Sequence, residues 1–447
     1  MTASDAAQVG PGYASPQDAI ARAPREELLW VGCIHEGTGI EAPDFLATVD
    51  VDPNSPTYCQ IIHKLPMPNV GDELHHFGWH TCSSAHHCCG IERRYLVVPG
   101  MRSNRIHIID VLADPRAPKL AQVIEPEEVV GKSGYTAPHT VHCMPGGVVT
   151  ISMLGNETGD APGGFLMLDA EDFTVKGRWE NEKGDQKLNY DFWYQPRCNV
   201  MLSSEWTTPN TFMPGFDLAD VPAGKYGHRI HVWDFEKRNH IQTIDLGEDG
   251  LIPLELRFLH EPAQEHAFVG AALSSKVFHL HKPNAQWQAD AVIAVEGREK
   301  EGWPVPVPGL ISDILISMDD RFLYFANWFH GEVMQYDIRD PFHPRRTGQV
   351  KVGGMFDPPV VHQGRTLTGG PQMLQLSMDG RRLYVTNTLF STWDNQFYPD
   401  LQGWMVKLDC DPNGGMSLDP DFFVDFSPAR GHEMRYPGGD VTTEIFV

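Results

Sequence analysis

From residue 45 to the end of the chain, short apolar runs of four to seven residues alternate with turn residues, and the alternation has two forms. In the first, an apolar strand ends in an aspartate, a turn follows, and a second strand returns. The run F-L-A-T-V-D-V-D at 45–52 stops at D-P-N turn chemistry and is answered by 58–63. The same unit returns at 105–110 with 121–124, at 164–169 with 175–179 and at 229–234 with 241–246. Residues 277–281, 333–338 and 405–409 begin three more, giving seven hairpins of one type. The second form lies between them. Residues 313–328 and 373–388 align directly, each a strand, a tight turn (Met318-Asp319-Asp320 and Met378-Asp379-Gly380) and a second strand. Weaker copies begin at 139, 190 and 255.

The first positions of this second unit are His76, His139, Asp191, Glu255, Asp313, Met373 and His432, spaced by 63, 52, 64, 58, 60 and 59 residues. A near-constant period of this size with four strands per repeat predicts a β-propeller. The fold class is therefore all-β, a seven-bladed β-propeller closed by pairing of N-terminal and C-terminal strands in one blade. The hairpin at 45–65 is expected to supply one half of that blade and residues 432–447 the other, which removes an exposed sheet edge. Residues 1–40 read as an irregular N-terminal segment in which Ser15 caps a short helix through Arg22. Residues 41–447 read as a single propeller.

Composition narrows the function. The 42 glycines and 35 prolines suit many short strands joined by turns. The longest apolar runs are too short to span a bilayer. A formal net charge of −24 argues against nucleic acid and against an anionic membrane surface, and suits a neutral or cationic small ligand or a metal. Eight cysteines in a chain of this length do not form a disulfide framework. The N-terminus lacks a basic region followed by an apolar one, so a cytoplasmic protein with free thiols is expected, monomeric or weakly homo-oligomeric.

In a propeller the starts of the innermost strands ring one mouth of the central channel. Three histidines, two aspartates, a glutamate and a methionine are thereby brought together, with His75, Gln372 and Glu433 within reach. Imidazoles with carboxylates and no thiolate pair suit copper, iron or zinc better than magnesium or calcium. The run C-S-S-A-H-H-C-C at 82–89 lacks structural-zinc spacing and reads as a surface loop. Cys59 reads as a buried structural thiol on an outer strand. No phosphate loop, nucleophile elbow or H-E-x-x-H motif is present.

Long strings carry a family resemblance. E-A-P-D-F-L-A-T-V-D-V-D-P-N-S-P-T-Y-C-Q at 41–60, L-P-M-P-N-V-G-D-E-L-H-H-F-G-W-H-T-C-S-S at 65–84 and Y-D-F-W-Y-Q-P-R at 190–197 are three of them. D-G-L-I-P-L-E-L-R-F-L-H at 249–260, D-D-R-F-L-Y-F-A-N-W-F-H-G at 319–331 and H-E-M-R-Y-P-G-G-D at 432–440 are three more. They resemble the selenium-binding protein family from about Gly10 onward, departing at 85–91. The resemblance implies a copper-dependent oxidoreductase that oxidises methanethiol with O2 and water to formaldehyde, hydrogen sulfide and hydrogen peroxide. It places the family's selenium-attachment cysteine on Cys59.

The ring argument assigns His75, His76, His139 and His432 as metal histidines, with Glu255 and Asp313 as carboxylate ligands or partners of the ligands. Asp191 or Asp313 is the expected acceptor of the methyl proton. His330 is a near-site candidate because its motif, N-W-F-H-G, matches the family. The alternative is a non-catalytic selenium or thiol-reactive binding protein acting through Cys59.

Overall fold

The computed structural model describes residues 12–86 and 90–447. Seven four-stranded antiparallel sheets are arranged as a propeller. Their innermost strands, which define blades I to VII, are Gly78–Trp79, Tyr135–Met144, Phe192–Gln195, Pro253–Phe258, Ile311–Ile316, Leu374–Leu376 and Arg430–Arg435. Innermost strands of successive blades touch, as Gly78–Trp79 does Tyr135–Met144 and Ile311–Ile316 does Leu374–Leu376. The seven periodic positions fall at or just before these strands. The two aligned turns are also as expected: Asp320 and Gly380 both adopt left-handed backbone, at φ 57° and 71°.

The closing blade corrects the expected boundaries. Its strand order is Ile61–Pro66, Phe45–Asp50, Leu28–Ile34, Arg430–Arg435, so three N-terminal strands accept one C-terminal strand. Leu28–Ile34 is thus a blade strand within the segment expected to be irregular. Trp30 pairs with Arg435 and Cys33 with Gly431 across a bulge. The run L-L-W-V-G-C-I is buried at every position, with Leu29, Val31 and Cys33 packed toward blade VI and Trp30 and Ile34 toward blade I. A strand covered on both faces shows no polar alternation, which is why its pattern is silent. The capped helix at the N-terminus is present as Pro16–Arg22, with the Ser15 hydroxyl accepting from Asp18 N–H.

Large aromatic side chains fill the spaces between blades. Phe165, Trp179 and Trp233 meet edge to face at ring separations of 5.5–5.9 Å across blades II and III. Among the described residues no helix is long and apolar enough to cross a membrane.

Candidate metal centre

Four histidines from three blades converge at the axis. His75 and His76 enter blade I, His139 lies in the innermost strand of blade II and His432 in that of blade VII. The His75 ring stacks on His432 at 3.9 Å, His76 lies 4.1 Å from His139, and His75 is 4.8–4.9 Å from His76 and His139. One nitrogen from each of His75, His76 and His139 lies within 4.8 Å of the others.

The backbone is bent to deliver these side chains. In four blades a residue other than glycine takes a left-handed conformation two or three positions before the ring residue: Glu73, Ala137, Ile252 and Leu310, at φ 52–58°. In blades II, IV and V the innermost strand is bulged just after this residue, at Pro138–Val141, Pro253–Leu256 and Ile311–Asp313. Bulges re-aim side chains, and a left-handed β-branched residue such as Ile252 costs roughly 1–3 kcal/mol. Ile252 is held by hydrogen bonds on both sides, donating to Gly227 O at 2.9 Å and accepting from Ala272 N at 2.7 Å. Strain of this kind repeated around one axis is expected where side-chain placement matters more than local stability.

Second-nitrogen contacts set the tautomers. His432 Nδ1 lies 2.7 Å from Thr388 O, a carbonyl that only accepts, so Nδ1 carries the proton and Nε2 the lone pair. His139 Nδ1 meets Thr140 Oγ1 at 3.0 Å, and His76 Nδ1 faces Glu433 Oε2 at 3.3 Å. Among the described residues the Nε2 atoms of His76, His139 and His432 have no hydrogen-bond partner, although all three rings are buried. Leaving buried polar atoms unpaired is costly, so three such nitrogens on rings packed within 4.1 and 5.4 Å of His76 call for a partner. Burial, and then the neighbouring imidazoles, push the pKa values of His75, His76 and His139 well below the ordinary histidine range, and burial takes His432 down to about 4. The four rings are neutral at physiological pH, the form that binds a metal. Glu255 Oε1, also without a partner, lies 3.5 Å from His76 Nε2. That separation exceeds a hydrogen bond and suits two donors sharing one ion at ligand distances of about 2.1 Å. The residues present therefore fit a metal of the kind that imidazole and carboxylate bind.

A shell of carboxylates surrounds the rings, and here two residues that the sequence reading passed over are central. Arg257 donates through Nη1 to Asp191 at 2.7 Å and through Nη2 to Glu255 at 2.9 Å, with Asp313 at 3.7 Å. One buried guanidinium thus gathers the ring carboxylates of blades III, IV and V. Arg435 does the same for Glu433 at 2.6 Å and Asp440 at 3.7 Å. Burial raises Glu255 well above the usual carboxylate range, with Asp191 adding to it, and raises Asp313 and Glu433 to about 7. Although burial works against its charge, the three carboxylates hold Arg257 protonated. The visible signal was E-x-R near two ring positions, Glu255-Leu256-Arg257 starting at one and Glu433-Met434-Arg435 starting one residue past His432.

Asp191 and Asp313 are present but lie outside the imidazoles. Asp191 Oδ2 also accepts from Leu256 N at 2.8 Å, and Asp313 Oδ2 from Leu374 N at 2.8 Å. Met373 joins the apolar core. His330 is not brought to the cluster. Its Nε2 donates to Val307 O at 3.0 Å and its ring packs on Phe356.

Next to the centre lies a narrow cavity of about 20 Å³, lined by His75 and by apolar side chains including Tyr190, Trp206, Leu254, Phe390 and Trp393. Room for one or two small atoms, with a nitrogen ligand at one end and hydrocarbon elsewhere, selects a very small apolar molecule. Ser391–Phe397, a helix that carries Trp393, covers this side. Its first turn is tied to the metal-bearing segment: Glu73, two residues before His75, accepts from Ser391 N at 2.7 Å and Ser391 Oγ at 2.9 Å.

Two cysteine readings need correction. Cys82 and Cys143 form a disulfide with Cα atoms 6.2 Å apart. The contact between the innermost strands of blades I and II brings the segments that follow His76 and His139 together, so these two thiols are not free. That removes one premise of the cytoplasmic expectation. Residues 82–86, read as a surface loop, are buried, while His87, Cys88 and Cys89 lie outside the described residues. Cys59 is neither buried nor on a strand. It is half-buried in the turn between Phe45–Asp50 and Ile61–Pro66, at φ 63°, where its N–H donates to Asp50 O at 2.9 Å and closes the turn.

Fold and site together define a seven-bladed propeller with a buried histidine–carboxylate centre at its axis and a small apolar cavity beside it. The family model described as 56kDa selenium binding protein (SBP56) matches residues 7–447, and the chain belongs to that family. Methanethiol oxidase from Xenopus laevis is 51% identical, covering 98% of each chain. Selenium-binding protein 2 from Mus musculus is 49% identical over the whole of both. A solved structure of a hypothetical selenium-binding protein from Sulfolobus tokodaii superposes with a TM-score of 0.94 at 49% identity, covering 97% of this chain and 98% of that one.

Proposed function

We propose that this protein is a methanethiol oxidase that uses copper at the histidine centre to convert methanethiol, O2 and water into formaldehyde, hydrogen sulfide and hydrogen peroxide. The single observation that carries this reading is the small apolar cavity opening onto His75 beside three partnerless imidazole nitrogens. Relatives named methanethiol oxidase at about half identity over nearly the whole chain support the substrate.

His75, His76, His139 and His432 would hold the metal, with Glu255 as a further donor. Copper bound there would supply the electron transfer between the thiol and O2. The protein's own part is distinct. The aromatic walls exclude water and hold the methyl group against His75. Glu433 orients His76 through Nδ1. Asp313, the acceptor expected from the sequence, does not line the cavity; with a pKa near 7 it can take up and release a proton only behind the imidazoles, beside Arg257. Asp191 keeps Arg257 in place, and Arg257 keeps Glu255 and Asp313 together.

The test is metal analysis of protein expressed with copper, followed by an assay for sulfide and peroxide. Stoichiometric copper with both products is the expected result; copper-loaded protein that forms neither product contradicts the proposal. The low imidazole pKa values add a pH prediction. A histidine of ordinary pKa loses metal to protons below about pH 6.5, whereas these rings stay neutral until the pH falls well below that value. Metal is expected to survive dialysis at about pH 5.5 and to leave as the pH approaches about 4. Loss of half the metal above about pH 6 would contradict the neutral-ring assignment.

Selenium retention is proposed to be a separate property of Cys59, which with Cys198 is one of the two partly exposed free thiols among the described residues and is the one the family resemblance marks. Burial raises the Cys59 pKa, so it is a thiol rather than a thiolate at neutral pH. Cys59→Ser is expected to abolish selenium retention after exposure to selenite and to leave methanethiol oxidation within about twofold of wild type. Loss of oxidation in that variant would join the two functions.

A further inference from the structure

The small cavity at His75 has a neighbour. A second, larger apolar cavity of about 310 Å³ is lined by Phe216, Trp303, Val305, Phe329 and Phe397 and opens to solvent where Val305 is half-exposed. The two cavities share two residues, Leu310 and Trp393. Trp393 stands between them. One side of its indole meets Trp206 of the inner cavity at 5.7 Å, and it meets Phe216 of the outer one at 5.2 Å. Its N–H donates to Phe212 O at 3.3 Å, which fixes the plane of the ring. Among the described residues no charged side chain lines either cavity.

We infer that the outer cavity is a vestibule that collects small apolar thiols from water and that Trp393, with Leu310, is the partition that admits them to His75 and sets their maximum size. The inference rests on the oxidase reading for its substrate class. An apolar chamber of this size concentrates a sparingly soluble thiol by removing its hydrocarbon from water. The inner cavity has room for about a two-heavy-atom molecule, so each further methylene must displace the Trp393 ring. Discrimination of one methylene by a hydrophobic pocket is about 10- to 200-fold.

The experiment compares kcat/KM for methanethiol, ethanethiol and 1-propanethiol in the copper-loaded enzyme and in Trp393→Phe, Trp393→Ala and Val305→Trp. Both Trp393 variants are expected to raise the ethanethiol-to-methanethiol ratio at least about 10-fold, with copper content unchanged. Val305→Trp, which obstructs the mouth far from the metal, is expected to lower kcat/KM for methanethiol while kcat is kept. Wild-type selectivity in both Trp393 variants, or an unchanged kcat/KM in Val305→Trp, overturns the inference. Crystals under xenon pressure separate this outcome from failure of the oxidase reading. If the wild-type enzyme oxidises no thiol, xenon in the vestibule, extending to His75 in Trp393→Ala, still supports the route. A vestibule empty of xenon overturns it.

Discussion

Replacing His139 with alanine is expected to eliminate stoichiometric metal and, with it, thiol oxidation, while the protein remains folded. His139 is fully buried, its Nε2 has no hydrogen-bond partner among the described residues, and its ring lies against both His76 and Tyr190. The substitution removes a donor and leaves the other Nε2 atoms short of the set that an ion requires. The effect should exceed that of Thr140→Val, which removes only the Oγ1 that meets His139 Nδ1. Loss of such an outer partner typically costs 10–100-fold in metal affinity. His330→Ala, by contrast, is expected to keep its metal, because that side chain bonds to Val307 O and not to the centre. Metal content by elemental analysis, read beside a thermal unfolding curve, decides the matter. Full metal occupancy in His139→Ala would remove His139 from the centre.

The second large effect is expected at Arg257. Arg257→Met preserves bulk against Trp193 but leaves Asp191, Glu255 and Asp313 without their shared counter-ion. Breaking a buried charge network by removing one partner costs about 3–5 kcal/mol. The pH dependence has a definite sign. Glu255 and Asp313 have folded-state pKa values above their unfolded ones, so the neutral acids are favoured by folding, and the Asp313 contribution fades as the pH rises through about 7. Arg257 offsets this by pairing with the ionised forms, so its removal should hurt little near pH 5 and most near pH 8. Urea unfolding at both values measures it. Equal destabilisation at the two would show that Arg257 acts by packing alone.

These two residues mark how far the sequence was legible. His139 was visible because the propeller repeats: a period near 60 residues brings equivalent positions to one axis, and three of the seven are histidine. Glu433 and His75 were visible as neighbours of ring positions. Arg257 was not, because an arginine two residues after Glu255 reads as ordinary strand alternation until the register of neighbouring blades is known. Leu28–Ile34 was hidden by its uniform apolarity, and the three-plus-one closure was hidden with it. The Cys82–Cys143 bond depends on two segments meeting between blades, and no spacing rule predicts that. The apolar walls of the cavities come from loops, Trp206 and Trp393 on connections inside blades III and VI and Leu310 on the connection between blades IV and V, whose proximity no local pattern reveals. The left-handed Ile252 and Leu310 run against local preference altogether, which is what a placement enforced by the whole ring looks like.

The closing blade has a consequence for how the protein assembles. The Phe77 amide donates to Glu433 across 356 residues of sequence, and His432 reaches His75 over a similar span. Contacts so distant along the chain form late, because loop closure must precede them. Blades II to VI, each built from consecutive strands, can form before the ring shuts, yet none of them holds more than one of the four imidazoles. The ion-binding set is completed only by the event that joins the two ends of the propeller. An ion captured there is bound by the native ring and not by its open precursors, so occupancy draws the folding equilibrium forward by mass action and serves as a latch on the finished circle.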